Sequence, residues 1–171
     1  ARRTDGSTDQ ATPKTMIIVL SIYLAALGCW LGGIVFFSFF IAPAVFTVLP
    51  RHEAGQLIST IFPRYYMLGY IVGTISLVLA IYLTAVNSPR IWWGVTTLVI
   101  AVALGITFYA GTVILPRADA LRAVTEDANP DPVKKAEFDG LHRNSVMLNG
   151  AVLLLNIAAI VGTAGAMTSR G

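Results

Sequence analysis

The sequence predicts an all-α integral membrane protein: a four-helix bundle with a short interfacial amphipathic helix between spans one and two. Three observations carry this. Of the 171 residues, 56% are hydrophobic and only 12% charged, against roughly 25% charged in soluble domains; so few charges cannot cover a water-facing surface. Second, the charges are segregated. None lies between Lys14 and Arg51, Arg64 and Arg90, Arg90 and Arg117, or Arg143 and Arg170. Each of these runs exceeds the roughly 20 helical residues that cross about 30 Å of hydrocarbon. Third, every run carries small residues at helical spacing, the means by which helices pack when lipid is as apolar as they are. They are Gly28 and Gly32, Gly69 and Gly73, Ala101 and Gly105, and Ala158 with Gly162 and Ala166.

Residues 1–15 are polar and aperiodic and read as a tail. The chain begins at Ala1, as expected if an initiator Met was trimmed or the sequence cropped. Residues 16–168 form a single transmembrane domain, with spans at about 16–48, 65–87, 91–115 and 144–167. The first run is too long for the apolar segment of a cleaved signal peptide. Pro43 should kink or end the first helix. An interfacial segment, 51–64, follows, with Leu57, Ile58, Ile61 and Phe62 turned inward and Pro63 as its stop. Tyr65-Tyr66 then opens span two. Asn87-Ser88-Pro89-Arg90 is a tight turn, and Trp92-Trp93 anchors span three at the interface. Residues 117–140 form the one substantial polar loop; its first part, Arg117 to Val124, can continue as helix, and Val133 to Phe138 can start a short helix toward the membrane.

Four spans place both termini on one face. Five Lys/Arg lie there and seven on the face of the two larger loops, so the positive-inside rule puts 51–64 and 117–140 in the cytoplasm. The chain fits the inner or cytoplasmic membrane of a bacterium. Val48-Leu49-Pro50-Arg51 is echoed by Ile114-Leu115-Pro116-Arg117. Duplication of a hairpin accounts for this, as does the frequency of Pro-Arg at the ends of membrane helices.

No Asp, Glu, Lys, Arg or His lies within an apolar core, which argues against pumps, voltage sensors and ion-coupled carriers. His142, Ser145, Asn149, Asn156 and Thr163 share one helical face and should point into the bundle, either as interhelical hydrogen bonds or as the lining of a small site. On the loop face, Arg51, Arg64, Arg117 and Arg143 can snorkel to lipid phosphate or, with Tyr65 and Tyr66, take an anionic headgroup or solute. His52 and His142 lie on that face too. As interfacial histidines they can bond to backbone, lipid phosphate or the Asn/Ser stripe; with Glu53 or Asp119 they can alternatively hold a divalent metal, or one can ligate a haem. Cys29 has no base in its span and reads as a packing residue.

The run Leu49-Pro50-Arg51-His52, then Gly55 and Phe62-Pro63-Arg64-Tyr65-Tyr66, resembles the family of small four-span proteins that includes transmembrane protein 205. Leu115-Pro116-Arg117 and the later His142, Ser145 and Asn149 resemble that family's second block more loosely; the 117–140 loop is shorter here. The resemblance implies a four-helix membrane protein of uncharacterised activity, some members being linked to tolerance of drugs or metal compounds. It directs attention to Pro50, Arg51, His52, Gly55, Phe62, Pro63, Tyr66, His142, Ser145 and Asn149.

The expected function is non-enzymatic: a small accessory or structural subunit of a membrane complex, or a binder of lipid or small solute at the interface. Two alternatives stand beside it, a passive carrier or tolerance protein for a small solute or metal compound, and a haem- or metal-binding redox protein using His52 and His142. No cofactor is expected on the first reading. The expected partners are the bilayer and either other membrane subunits or a second copy, and nucleic acid is not among them. The functional face is expected at Pro50, Arg51, His52, Gly55, Phe62, Pro63, Arg64, Tyr66, Arg117, His142, Ser145, Asn149 and Asn156.

Overall fold

The structure, a computed structural model, describes residues 12–88, 90–125 and 131–169. Helix α1 spans Pro13–Phe36, followed by a π-helical turn at Phe37–Ile41 and α2 at Ala42–Val48; α3 is Arg51–Val86. Helix α4 is Arg90–Tyr109, followed by a second π turn at Ala110–Ile114 and α5 at Leu115–Thr125; α6 is Pro132–Thr168. Joined end to end these make four antiparallel rods, each long and apolar enough to cross a membrane. The predicted all-α four-helix bundle is the observed one. Of the tail expected at 1–15, residues 1–11 lie outside the described residues, as does the Asn129-Pro130 part of the long loop, while Pro13, Lys14 and Thr15 are the first turn of α1 rather than tail.

Local chemistry sets the ends. Thr12 caps α1 with its hydroxyl on the Thr15 N–H at 3.4 Å, and Asp131 caps α6 by accepting from the Val133 N–H at 2.9 Å; Pro13 and Pro132 follow at the first helical position, where their missing N–H is not needed. Leu49 and Pro50 are extended and break rod one from rod two.

Two expectations are corrected. There is no separate interfacial helix at 51–64 and no break at Pro63: α3 runs unbroken from Arg51 through Pro63 to Val86. A proline inside a helix costs about 3 kcal/mol. Here its ring faces outward, and the Arg64 guanidinium folds back onto the Thr60 carbonyl at 2.9 Å, beside the Ser59 carbonyl whose helical donor Pro63 removes. The inward face of this stretch is Ala54, Gly55 and Ile58, with Phe62 partly buried, whereas Leu57 is exposed. Likewise, span four does not begin near 144. Helix α6 starts at Pro132, so the latter part of the expected loop is helix continuous with the span.

The rods therefore outrun the bilayer. Thirty-six residues of α3 rise about 54 Å at 1.5 Å each, against about 30 Å of hydrocarbon. Counting about 20 residues inward from the termini face at Met16, Val86, Ile91 and Met167 reaches Phe36, Tyr66, Gly111 and Met147. Beyond that level the bundle stands among headgroups and water.

The proline echo also shifts. Pro50 separates two helices, while Pro116 lies inside rod three. The geometric counterpart of Pro116 is Pro43: in each case a five-residue π turn is followed by one residue and then proline. A proline crowds the carbonyl four residues before it and offers it no donor; widening the preceding turn by one residue makes room.

Trp30 locks the middle of the bundle. A Cβ at Gly73 would fall 2.8 Å from both Trp30 and Leu104, and one at Gly69 would fall 3.1 Å from Thr107. A Cβ at Gly162 would meet the Thr96 hydroxyl at 2.6 Å. Gly28, Gly32 and Gly105, by contrast, face open space, so these three glycines do not pack inside this chain. Gly32→Ala is accordingly expected to leave stability in detergent unchanged or raise it by about 0.5–1 kcal/mol through helix propensity, read as a shift in thermal midpoint.

Candidate functional site

The two π turns stand at the same depth and flank the tyrosines of α3. In the first, the Phe37 ring packs on Tyr65 at 4.8 Å and on Phe62 at 5.3 Å. Ser38 Oγ accepts a hydrogen bond from Asn149 Nδ2 at 2.9 Å, and Asn149 Oδ1 accepts from the Tyr65 hydroxyl at 2.5 Å. One amide thus ties rods one, two and four. At the second π turn, Gly111 lies against the Tyr66 ring, where an added Cβ would be 2.9 Å from Cγ. Tyr70 beside it stacks on Phe108 at 4.4 Å and 3°, and the Tyr66 hydroxyl reaches Ser145 Oγ at 3.5 Å.

Tyr66 lines two cavities. The inner one, about 20 Å³, is lined by Trp30, Tyr65, Tyr66, Thr107 and Asn149 together with apolar groups from all four rods. The outer one, about 30 Å³, is lined by Phe62, Tyr66, Ile114, Leu115, Ala118, Arg122, Phe138, His142 and Ser145. Arg122 closes it from α5. Its guanidinium donates to the Gly55 carbonyl at 3.1 Å, faces Asp119 at 3.5 Å and lies 5.6 Å over the Phe138 ring. His142, stacked on Phe138 and exposed, stands at the mouth.

The structure gathers some of the residues singled out from sequence and leaves others apart. Phe62, Tyr66, His142 and Ser145 line the outer cavity, Asn149 lines the inner one, and Gly55 supplies the carbonyl that Arg122 binds. Pro50, Arg51, Pro63, Arg64 and Arg117 are exposed and line neither. His52 hydrogen-bonds Gln56 at 2.9 Å on its own helix. Among the described residues no three His, Cys, Asp or Glu side chains gather as a metal site, so Glu53 or Asp119 does not complete a set with both histidines. Asn156 is buried deeper, donating to the Val152 carbonyl at 3.0 Å, and Thr163 meets the Tyr23 hydroxyl at 2.8 Å; the stripe faces inward throughout the span.

Arg122, Ser38, Gly111 and Phe138 were not singled out from sequence. Arg122 left a signal, its i,i+3 spacing from Asp119 on an Ala-rich helix. Ser38 and Gly111 left none, because their roles arise from the π turns.

A family model described as a domain of unknown function (DUF4149) matches residues 25–126, which take in both π turns, Tyr65, Tyr66 and Arg122. An uncharacterized protein of Aquifex aeolicus (strain VF5) is 30% identical over 138 residues, covering 81% of this chain and 91% of its own. No solved structure matches. The chain therefore belongs to the DUF4149 family.

Proposed function

We propose that this is a non-enzymatic membrane protein that holds the phosphate of a phospholipid headgroup in the outer cavity. The observation that carries the reading is the lining: a guanidinium, an imidazole and two hydroxyls converge with apolar walls, a few residues beyond the level where the hydrocarbon ends. Charge-assisted hydrogen bonds from Arg122 and His142 suit a phosphate oxygen, and Ile114, Leu115 and Phe62 suit the first acyl carbons. Asp119 holds the guanidinium in place and tempers its charge. Ser145 faces Tyr66 rather than a base, so no acyl-transfer chemistry is assigned. On this reading the loop face lies in the cytoplasm of a bacterium, as seven Lys/Arg against five suggest, and the chain is akin to the transmembrane protein 205-like group whose motif it resembles.

Native mass spectrometry in mixed micelles tests this with anionic phospholipid, zwitterionic phospholipid and inorganic phosphate as separate arms. Phospholipid should be retained, and Arg122→Gln and His142→Ala should each weaken retention about tenfold, the loss of one charge-assisted hydrogen bond. Retention unchanged in both variants would overturn the reading. Capture of inorganic phosphate alone would identify a free anion as the ligand.

The accessory-subunit reading draws on one observation. Phe39, Phe40, Phe46 and Val48 are exposed on rod one beyond Ser38, at a depth where α3 and α6 already present Arg64 and Arg143. An apolar helix reaching about 15 Å past the belt suits a part that docks on a neighbouring membrane helix.

A further inference from the structure

We infer that the inner cavity is a second lipid site, which takes the ester carbonyl of a glycerolipid acyl chain from the hydrocarbon between rods one and two. It goes beyond the phosphate reading of the outer cavity and does not rest on it. The key group is the indole N–H of Trp30. This residue is 3% exposed, and its N–H has no hydrogen-bond partner among the described residues. The nitrogen is not sealed, as the unpartnered Trp93 nitrogen is. A Cβ at Gly73 would meet the benzo edge of the Trp30 ring at 2.8 and 3.0 Å, whereas one at Gly69 would lie 3.5 Å from Nε1. Gly69 lines the cavity and Gly73 does not. The N–H edge therefore faces the cavity, and the benzo edge faces the packed middle of the bundle.

An indole N–H can only donate, so the occupant has to offer an acceptor. Asn149 adds a second donor, since its amide carries two N–H bonds and Ser38 takes one. The hydroxyl protons of Tyr65 and Thr107 are already spent, on Asn149 and on the Ala103 carbonyl. No carboxylate, amine, guanidine or imidazole lines the cavity. An ion would find no counter-charge there, so the acceptor is neutral. Depth and size narrow it further. The lining includes Leu68, 44% exposed, and the partly exposed Gly33, and a Cβ on Gly33 would only touch Leu68, at 3.4 Å. These two stand two and three residues on the hydrocarbon side of Tyr66 and Phe36, about 3–5 Å inside the boundary those residues mark. Lipid is what the cavity meets at that depth. The acceptors a bilayer offers nearest to it are the ester carbonyls that join acyl chains to glycerol. The volume, about 20 Å³, compares with the roughly 10–15 Å³ that one water requires. It admits a carbonyl and not a quinone ring. An N–H left unmet in hydrocarbon is costly, and the ester oxygen meets it.

Diacyl and dialkyl phosphatidylcholines of equal chain length share a headgroup and differ in this carbonyl alone. Protein labelled with 15N-tryptophan, in micelles of a maltoside detergent that has no carbonyl, is titrated with each in turn. The Trp30 indole proton, identified by its absence in Trp30→Phe, should move downfield with the diacyl lipid and stay in place with the dialkyl lipid. Arg122→Gln should keep this shift, so that failure of the phosphate reading leaves the result intact. In that variant native mass spectrometry should retain the diacyl lipid about fivefold better than the dialkyl lipid, the weight of one neutral hydrogen bond. Trp30→Phe should equalise the two. Gly33→Leu, which fills the gap beside Leu68, should abolish the shift, whereas Gly32→Leu, facing open space, should keep it. Equal shifts with both lipids would overturn the inference, since chain packing or water would then account for them. So would no shift with either, a shift that survives Gly33→Leu, or a shift with a short-chain quinone and none with the diacyl lipid. The lipid comparison uses the unaltered chain and decides the matter if a variant does not fold.

Discussion

Gly111→Ala is expected to destabilise the protein by about 3 kcal/mol, the upper end for overpacking a well-filled site, and Tyr70→Phe in the same chain should restore part of that loss. A methyl group at 111 overlaps the Tyr70 hydroxyl and stands 2.9 and 3.0 Å from Cγ and Cδ1 of Tyr66. Neither ring has an easy retreat. Tyr70 lies flat on Phe108, and Tyr66 is bounded by Tyr65 at 5.4 Å and Phe62 at 6.1 Å. Tyr70→Phe removes the overlapping oxygen and leaves the contact with Tyr66, so the double variant should recover only part of the stability. A double-mutant cycle from denaturation in detergent should give a coupling of about 1–2 kcal/mol. Strict additivity would mean that Tyr70 does not rest on Gly111. Because Tyr66 must also shift, Gly111→Ala is expected to perturb both cavities at once.

Much of this architecture was legible in the sequence, since the dominant force in a membrane protein is written as an absence. Charge-free runs of more than 20 residues admit few alternatives to spanning helices, and the four spans follow from where Arg51, Arg64, Arg90, Arg117 and Arg143 stand. What happens beyond the hydrocarbon was less legible. Pro63 is a reasonable stop for an isolated helix, but tertiary packing of Ala54, Gly55 and Ile58 holds the helix through it. Pro43 acts through a π turn that no local pattern announces. The outer cavity was half visible: His142, Ser145 and Tyr66 carried signals of type and spacing. Arg122 was hidden in a polar stretch that the sequence lets continue as helix, since nothing local says that its guanidinium reaches the Gly55 carbonyl. The polar stripe shows the limit most sharply, because helical periodicity places Asn149 and Asn156 on one face and cannot distinguish what each one meets.

That distinction yields opposite outcomes for the same substitution. Asn149→Leu should destabilise the protein by about 2–3 kcal/mol, whereas Asn156→Leu should be neutral or stabilise it by about 1 kcal/mol. Asn149 makes two interhelical hydrogen bonds, to Tyr65 and Ser38. Leucine leaves both hydroxyls facing an apolar group in a part-buried site, so the loss includes their unmet hydrogen bonds as well as the bonds themselves. Asn156 is 1% exposed and bonds only its own helix, at the Val152 carbonyl, which already has a backbone donor available; its Oδ1 has no partner among the described residues. Leucine of similar volume removes that unpaired acceptor from the middle of the bundle. Unfolding of each variant by SDS titration against the parent measures the contrast. A loss at Asn156→Leu matching that at Asn149→Leu would show that Asn156 also holds the rods together, through a water or a second partner. Tyr65→Phe and Ser38→Ala provide the internal check. Each should cost about 1 kcal/mol in the parent and much less in the Asn149→Leu background, since the three side chains act as one chain of hydrogen bonds and can lose its stabilisation only once.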